Sequence, residues 1–201
     1  MVGHWLFKSE PSVFSIGDLG RAKGATTGWD GVRNYQARNL LRDEVKRGDL
    51  VLFYHSSAEP TGVAGVAEVA REAYPDASQF DSKSDHCDPT SPRDAPRWVA
   101  VDVRLVRAFP RVVTLAELKA EPSLSKMEVL RRGSRLSIQR VTPEEFATVT
   151  RMAEAAAPTA GTPTPAQPTA RRAAATPRKS KEPPPRPPKP PRRGASRPRS
   201  G

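Results

Sequence analysis

Short apolar runs separated by polar turns predict a series of short β-strands in the first 150 residues. The runs are three to nine residues long, a length typical of strands, and the longest alternates apolar and polar positions. Pro11 follows the first run and cannot pair in a strand interior. The predicted strands cover residues 5–7, 50–54, 62–69, 98–106 and 135–141.

Helical spacing and capping signals predict helices between these strands. Thr114 with Glu117 three residues later matches a capping box, and Thr142 followed by Pro143 matches a helix start. The predicted helices cover residues 15–19, 34–47, 114–118 and 124–131, with a last one beginning at residue 142. Short strands with helices at the connections predict an α+β fold, a small mixed β-barrel, and argue against a doubly wound parallel sheet.

Composition separates a folded region from a basic tail. The chain has 201 residues and a net charge of +11, but residues 153–201 carry a net charge of +9, which leaves +2 for residues 1–152. All 12 aromatic residues lie at or before Phe146, whereas 13 of the 22 prolines lie at or after Pro158. We therefore predict one domain at residues 1–153 and a disordered Pro/Ala/Arg-rich tail at residues 154–201.

Compartment and cofactor use follow from what the sequence lacks. We expect a cytoplasmic protein, with association with a bacterial nucleoid as an alternative, because no signal peptide or membrane span is apparent. The single cysteine, Cys87, excludes an intrachain disulfide. We expect no metal and no cofactor. The acidic residues between 81 and 88 do not match an EF-hand, since His86 and Pro92 stand where that loop requires glycine and glutamate.

Residues 26–39 hold the densest set of ligand-binding side chains in the chain. Trp29 lies between two glycines and is followed within ten residues by arginines, asparagines, a tyrosine and a glutamine. An indole can stack on a planar ring, and amide side chains can read its polar edge. The segment therefore predicts a base-recognition site. Structural roles stay open for the single residues: Trp29 as a core aromatic and Asn34 as a helix N-cap.

Several motifs together resemble the EVE domain family. They occur in order over residues 3–153 and include WLFKSEP at 5–11, WDGVRNYQARN at 29–39, FYHS at 53–56, GVAGVAEV at 62–69, YPD at 74–76 and PRWVAVD at 96–102. The resemblance implies a PUA-like fold related to YTH domains. It also implies a non-catalytic reader that flips a modified base, modified cytosine in particular, out of DNA or RNA into an aromatic-walled pocket.

The resemblance also implies which residues form the site. Trp29 would stack on the base, with further pocket residues around it: Lys8, Ser9, Asn34 and Ser56, and with weaker support Tyr35, His55 and Trp98. Arg33, Arg38 and Arg42 would contact the nucleic-acid backbone, because the stacking of a single base, about 1–3 kcal/mol, roughly balances the cost of flipping it.

Two other interpretations remain open. Lys8, Glu10 and His55 could supply acid and base groups for an enzyme acting on nucleotides, although no phosphate-binding loop or nucleophile motif accompanies them. The basic tail, residues 171–199 above all, is expected to bind polyanions non-specifically. We expect a monomer that binds no membrane.

Overall fold

A six-stranded mixed sheet forms the centre of the structure, a computed structural model that describes residues 2–155. The strands are β1 His4–Ser9, β2 Thr26–Trp29, β3 Leu50–His55, β4 Gly62–Pro75, β5 Val99–Thr114 and β6 Ile138–Arg140. Their order in the sheet is β2-β5-β4-β3-β1-β6. Only β1 and β3 pair in parallel, and the other neighbours are antiparallel. The predicted α+β class with a mixed sheet is confirmed.

Short helices connect the strands. They are α1 Ile16–Arg21, α2 Tyr35–Asn39 with a π-helical continuation at Leu40–Glu44, α3 Leu115–Ala120 and α4 Pro143–Ala155. The predicted capping box is present at α3, where the Thr114 hydroxyl accepts a hydrogen bond from the Glu117 backbone N–H, and the Glu117 carboxylate accepts from the Thr114 N–H. Capping fixes the start of α3 because it satisfies backbone N–H groups that have no helical acceptor.

Both faces of the sheet are buried, which explains the continuous apolar runs in its central strands. In β1, Trp5 and Phe7 join the core on one face and Leu6 joins the core on the other. In β3, Val51 and Phe53 share the first core, while Leu52 and Tyr54 share the second. The helices α3 and α4 cover the second face through Leu118 and Val149.

The sheet is strongly curled but not closed into a barrel. The strands β2 and β6 are its edges, and among residues 2–155 neither pairs with a second strand. Nevertheless Trp29 at the end of β2 packs against Phe7 of β1, with ring centroids 5.3 Å apart. Side-chain packing therefore closes the first core where backbone pairing does not.

Several predicted elements differ from the structure. Residues 26–29 form β2, which was not predicted, and β4 and β5 extend to Pro75 and Thr114. The predicted helix at 124–131 is wrong: the chain there forms two short 3-10 turns, Pro122–Leu124 and Glu128–Leu130. The last strand covers only three of the predicted residues.

The C-terminal helix marks the end of the described region. It runs to Ala155, and Ala153 within it is fully buried against the second core. The predicted disordered tail lies outside the described residues, apart from its first two positions in α4. Within residues 2–155, no helix has both the length and the apolar character needed to cross a membrane.

Candidate functional site

A cavity of about 450 Å³ opens where the ends of β1 and β2 meet the segment that follows β2. We call it the Trp29 cavity. Its lining comes from four parts of the chain: Lys8, Ser9, Val13 and Phe14; the continuous segment Thr27, Gly28, Trp29, Asp30, Gly31, Val32, Arg33 and Asn34; His86; and Ser137. The volume lies within the range of roughly 300–1,000 Å³ found for small-molecule sites.

Trp29 is both a core residue and a wall of the cavity. Only 8% of it is exposed, and its ring packs against Phe7 and Phe53, each with centroids 5.3 Å away. The indole N–H groups of Trp5 and Trp98 donate to Asp49 and Asp88 at 2.8 Å. The Trp29 N–H has no acceptor among residues 2–155, and Trp29 lines the cavity.

Asn34 combines a structural role with an available donor. Its Oδ1 caps α2, accepting hydrogen bonds from the backbone N–H groups of Gln36 at 2.9 Å and Ala37 at 3.1 Å. The side-chain amide N–H groups make no hydrogen bond within the described part of the chain. Asn34 also lines the cavity, so one residue both caps α2 and contributes to the lining.

Lys8 and Ser9 form the rim at the end of β1. The Lys8 ammonium donates to the backbone oxygen of Ser134 at 3.1 Å, and partial burial lowers its pKa while the nearby Glu128 charge opposes that shift. The Ser9 hydroxyl donates to the backbone oxygen of Phe14 at 2.7 Å. Lys8 therefore brings a weakly solvated positive charge to the cavity, while Ser9 holds the Phe14 segment in place.

Asp30 is the carboxylate of the cavity. No side chain or backbone group of another described residue hydrogen-bonds to it. Partial burial and then the charge of Asp76 raise the pKa of the Asp30 carboxyl, whereas the charges of His86 and Arg33 act in the opposite direction. The residues that line the cavity thus include one carboxylate, Asp30, and two residues with N–H groups that make no hydrogen bond within residues 2–155, Asn34 and Trp29.

Arg33 lines the cavity and braces its wall through contacts with neighbouring segments. Its guanidinium donates to Asp76 at 2.7 Å, to the Ser78 hydroxyl at 2.9 Å and to the backbone oxygen of His86 at 2.7 Å. Asp76 is 1% exposed and also accepts from the Gly31 N–H at 3.1 Å. Burial alone would raise the pKa of Asp76, but hydrogen bonds from Ser78, Arg33 and Gly31 lower it. These contacts occupy the Arg33 donors internally.

Gly31 permits the close approach of this segment to His86. Its φ of +71° lies in the left-handed region, and a Cβ there would come within 2.6 Å of the His86 ring. A side chain at this position would therefore push His86 away from the cavity.

Three further residues of the predicted site form a stack outside the cavity lining. The Tyr35 and Trp98 rings lie 5.0 Å apart, and the Arg38 guanidinium lies 4.9 Å from the Tyr35 ring centroid. Arg38 also donates to the backbone oxygen of Arg97 at 3.2 Å. Tyr35 is 55% exposed, whereas Trp98 is buried. Tyr35 and Arg38 belong to α2, and Trp98 directly precedes β5.

The remaining predicted residues are engaged elsewhere. His55 accepts a hydrogen bond from the Ile16 N–H at 3.1 Å through Nε2, and burial lowers its pKa. The Ser56 N–H donates to the backbone oxygen of Ser9 at 2.8 Å. Arg42 is exposed and ion-paired with Asp43.

The three groups considered for an enzyme are not brought together in the cavity. Lys8 lines it, but Glu10 and His55 do not. Glu10 accepts a hydrogen bond from the Ser57 hydroxyl at 3.0 Å. In the described region, residues 2–155, no group of three or more His, Cys, Asp or Glu side chains could hold a metal ion.

Sequence reasoning missed Asp30, Phe14 and His86 as lining residues. Asp30 directly follows Trp29, and this adjacency to a predicted site residue could have identified it. Phe14 and His86 carry no local signal, because they reach the cavity only through the folding of the chain after β1 and between β4 and β5.

The chain matches one family model, described as EVE domain, over residues 3–152. Thymocyte nuclear protein 1 of Homo sapiens is 46% identical over 159 residues, which are 71% of this chain and 70% of the human protein. The proteins of the same name from Gallus gallus and Mus musculus are each 43% identical.

Solved structures with the same fold include one nucleic-acid complex. A crystal structure of the human THYN1 protein in complex with 5-methylcytosine-containing DNA has a TM-score of 0.70 and 46% identity, covering 75% of this chain and 98% of that chain. A protein from Pseudomonas putida has a TM-score of 0.71 and 45% identity, covering 75% of this chain and 99% of that chain. A hypothetical protein from Leishmania major has a TM-score of 0.73 and 45% identity, covering 77% of this chain and 96% of that chain.

Proposed function

We propose, since the chain belongs to the EVE domain family, that it is a non-catalytic reader of modified bases in nucleic acid. One base leaves its strand and enters the Trp29 cavity, and a modified cytosine is the first choice of ligand. Two findings support a nucleic-acid ligand: the domain matches the EVE model over residues 3–152, and a 46% identical protein crystallised with 5-methylcytosine-containing DNA.

One observation carries the assignment to this cavity. Of the three tryptophans in the chain, only Trp29 has an indole N–H without an acceptor among residues 2–155, and Trp29 lines the cavity. A donor left without a partner beside an aromatic wall suits the polar edge of a flat heterocycle. The bound base supplies the missing acceptor.

The polar groups around Trp29 favour cytosine. The exocyclic amino group of cytosine is a donor, and a carboxylate such as Asp30 is a suitable acceptor for it. The C2 carbonyl oxygen and the ring nitrogen N3 of cytosine are acceptors, and Asn34 and Trp29 offer donors. A 5-methyl group would meet the apolar part of the lining, which includes Phe14 and Val13.

The energetics require contacts beyond the cavity. Stacking one base is worth roughly 1–3 kcal/mol, and removing it from a duplex costs a few kcal/mol. The cavity alone therefore discriminates between bases but binds duplex weakly. Contacts to the phosphate backbone supply the remaining affinity, and the basic tail adds affinity for any polyanion.

A binding panel tests this proposal. The full chain is titrated with single-stranded and duplex oligonucleotides that differ at one position: cytosine, 5-methylcytosine, 5-hydroxymethylcytosine, thymine, adenine or N6-methyladenine. We expect one modified cytosine to bind at least about tenfold more tightly than its unmodified twin. Equal affinity for all members would contradict the reader function, and chemical turnover of any oligonucleotide would support the enzyme alternative.

A further inference from the structure

A second, smaller groove lies beside the Trp29 cavity. Its volume is about 310 Å³, and it is lined by residues 131–136 together with Gln36 and Glu128. Residues 131–136 contain three arginines, Arg131, Arg132 and Arg135, and we call this segment the arginine loop. All three arginines are exposed.

The three guanidinium groups of the arginine loop have no counter-ion in the described structure. Nine ion pairs hold eight other arginines and one lysine among residues 2–155, and none involves the loop. No hydrogen bond from these three side chains occurs within the same residues. The nearest acidic side chain in the groove, Glu128, lies beyond ion-pair distance, and its charge acts on Lys8. Three neighbouring cations without partners form a local excess of positive charge.

The arginine loop is joined directly to the rim of the Trp29 cavity. Lys8 donates through its ammonium to the backbone oxygen of Ser134 at 3.1 Å and through its backbone N–H to the oxygen of Ser137 at 2.8 Å. Ser137 itself lines the cavity. The buried side chain of Gln139 donates to the Ser134 hydroxyl at 2.8 Å. The loop therefore holds a fixed position next to the cavity.

The shape of the arginine loop leaves its outer side open. Gly133 has a φ of +79°, in the left-handed region, which turns the chain between Arg132 and Ser134. A Cβ at Gly133 would meet no atom within 4 Å. The space beside Gly133 is therefore open.

We propose that Arg131, Arg132 and Arg135 bind the phosphates of the strand whose base occupies the Trp29 cavity. A guanidinium matches phosphate with two parallel hydrogen bonds. This proposal places the contacts to the nucleic-acid backbone on the arginine loop, whereas the sequence led us to expect them at Arg33 and Arg42. In the structure the donors of Arg33 are used within the protein, and Arg42 is paired with Asp43. The placement of the nucleic-acid strand, with one base in the Trp29 cavity, rests on the proposed function. Phosphate binding by the arginine loop does not depend on it.

Salt dependence distinguishes phosphate contacts from other effects. The full-length triple variant Arg131→Gln, Arg132→Gln and Arg135→Gln is compared with wild type. The matched control, Lys23→Gln, Arg47→Gln and Lys119→Gln, removes the same charge from exposed positions that have no ion pair in the described structure. Each protein is titrated with a single-stranded oligonucleotide containing one 5-methylcytosine and with its unmodified twin, at several salt concentrations.

We expect the loop variant to lose about 2 units of the slope of log K against log[salt], since each phosphate contact to a single strand contributes about 0.7. Its affinity at low salt should fall at least about tenfold, while its preference for the modified base stays within about twofold of wild type. The control should change the slope by less than about 0.5. All three proteins should unfold at the same urea concentration, because the substituted side chains are exposed.

Two results would overturn the phosphate assignment: a loop variant with the slope of the control, or a loop variant that loses the base preference along with its affinity. Failure of the reader function has a different signature. In that case wild type would bind both oligonucleotides equally, yet the loss of slope in the loop variant would still be measured.

Discussion

Trp29 packs against Phe7 with ring centroids 5.3 Å apart, although three strands separate β2 from β1 in the sheet. This contact closes the first core, and Trp29 lines the cavity at the same time. The residue proposed to receive the base is therefore also part of the fold. Experiments on Trp29 must separate these two roles.

Trp29→Ala should destabilise the domain by about 3–5 kcal/mol, the usual cost of deleting a large aromatic side chain from a core. The variant loses the contacts with Phe7 and Phe53. Urea unfolding measures the change. Val13→Ala is the matched control in the cavity lining, since Val13 is 80% exposed, and it should change stability by no more than about 0.5 kcal/mol. An unchanged stability of Trp29→Ala would refute the core role.

Asn34 offers a cleaner test of the cavity, because its cap and its donor can be separated. Asn34→Ser keeps a side-chain oxygen for capping α2 and removes the amide donor. We expect Asn34→Ser to preserve stability within a few tenths of a kcal/mol, whereas Asn34→Ala should lose about 0.5–2 kcal/mol.

Both Asn34 variants should weaken binding of the modified base about five- to tenfold, the value of one hydrogen bond of about 1 kcal/mol or slightly more. Urea unfolding and oligonucleotide titration of the same preparations give the two quantities. Full affinity in Asn34→Ser would show that the amide donor does not contact the ligand.

Asp30 should decide between 5-methylcytosine and thymine, which differ in the group at C4 and in the proton that thymine carries at N3. Thymine presents an oxygen where cytosine presents an amino group, so the Asp30 carboxylate should accept from one and repel the other. Wild type is expected to prefer 5-methylcytosine at least about tenfold, and Asp30→Ala should bring the ratio near one. A ratio that is unaffected by the substitution would assign the discrimination to another group.

The raised pKa of Asp30 also predicts a pH-dependent stability effect. The protonated carboxyl is favoured in the folded state, so its contribution is present below the unfolded pKa of about 3.9 and is lost as the pH rises through the higher folded value. Asp30→Asn should therefore be more stable than wild type at neutral pH, and the difference should disappear at about pH 3. Urea unfolding at both pH values measures it, and an equal difference at both would contradict the shift.

Arg33→Ala should weaken the site without changing the salt dependence of binding. The substitution leaves the buried Asp76 without its ion-pair partner, a change that typically costs about 3–5 kcal/mol. Base affinity should fall because the wall of the cavity loses its brace at His86. Titration at several salt concentrations would reveal a loss of slope of about 0.7 if Arg33 instead contacted a phosphate.

The sequence predicted the central strands well because each of them is a short run of consecutive apolar residues. β1 and β3 are short apolar runs, and both faces of each contact a core. It did not predict β2, since Gly28 and Trp29 resemble a loop until β5 supplies the pairing partner of Trp29, Val101. Strand pairing of this kind depends on residues far apart in sequence.

The candidate site was predictable to a similar extent. One cavity is lined by Trp29, Asn34, Lys8 and Ser9, which are among the residues that the resemblance placed in one pocket. The internal use of Arg33 was not predictable, because Asp76 lies 43 positions away and its burial depends on the complete fold. The assignment of all these residues to base binding remains a proposal.

The most direct measurement follows the three indole N–H resonances of the ¹⁵N-labelled full chain by NMR. Trp5 and Trp98 act as internal controls, since their N–H groups already donate to Asp49 and Asp88. On addition of a single-stranded oligonucleotide with one 5-methylcytosine, the Trp29 resonance should shift most, and the unmodified twin should shift it less at equal concentration. A shift at Trp98 with an unchanged Trp29 resonance would contradict the account, because the ligand would then lie on the Tyr35 stack outside the cavity.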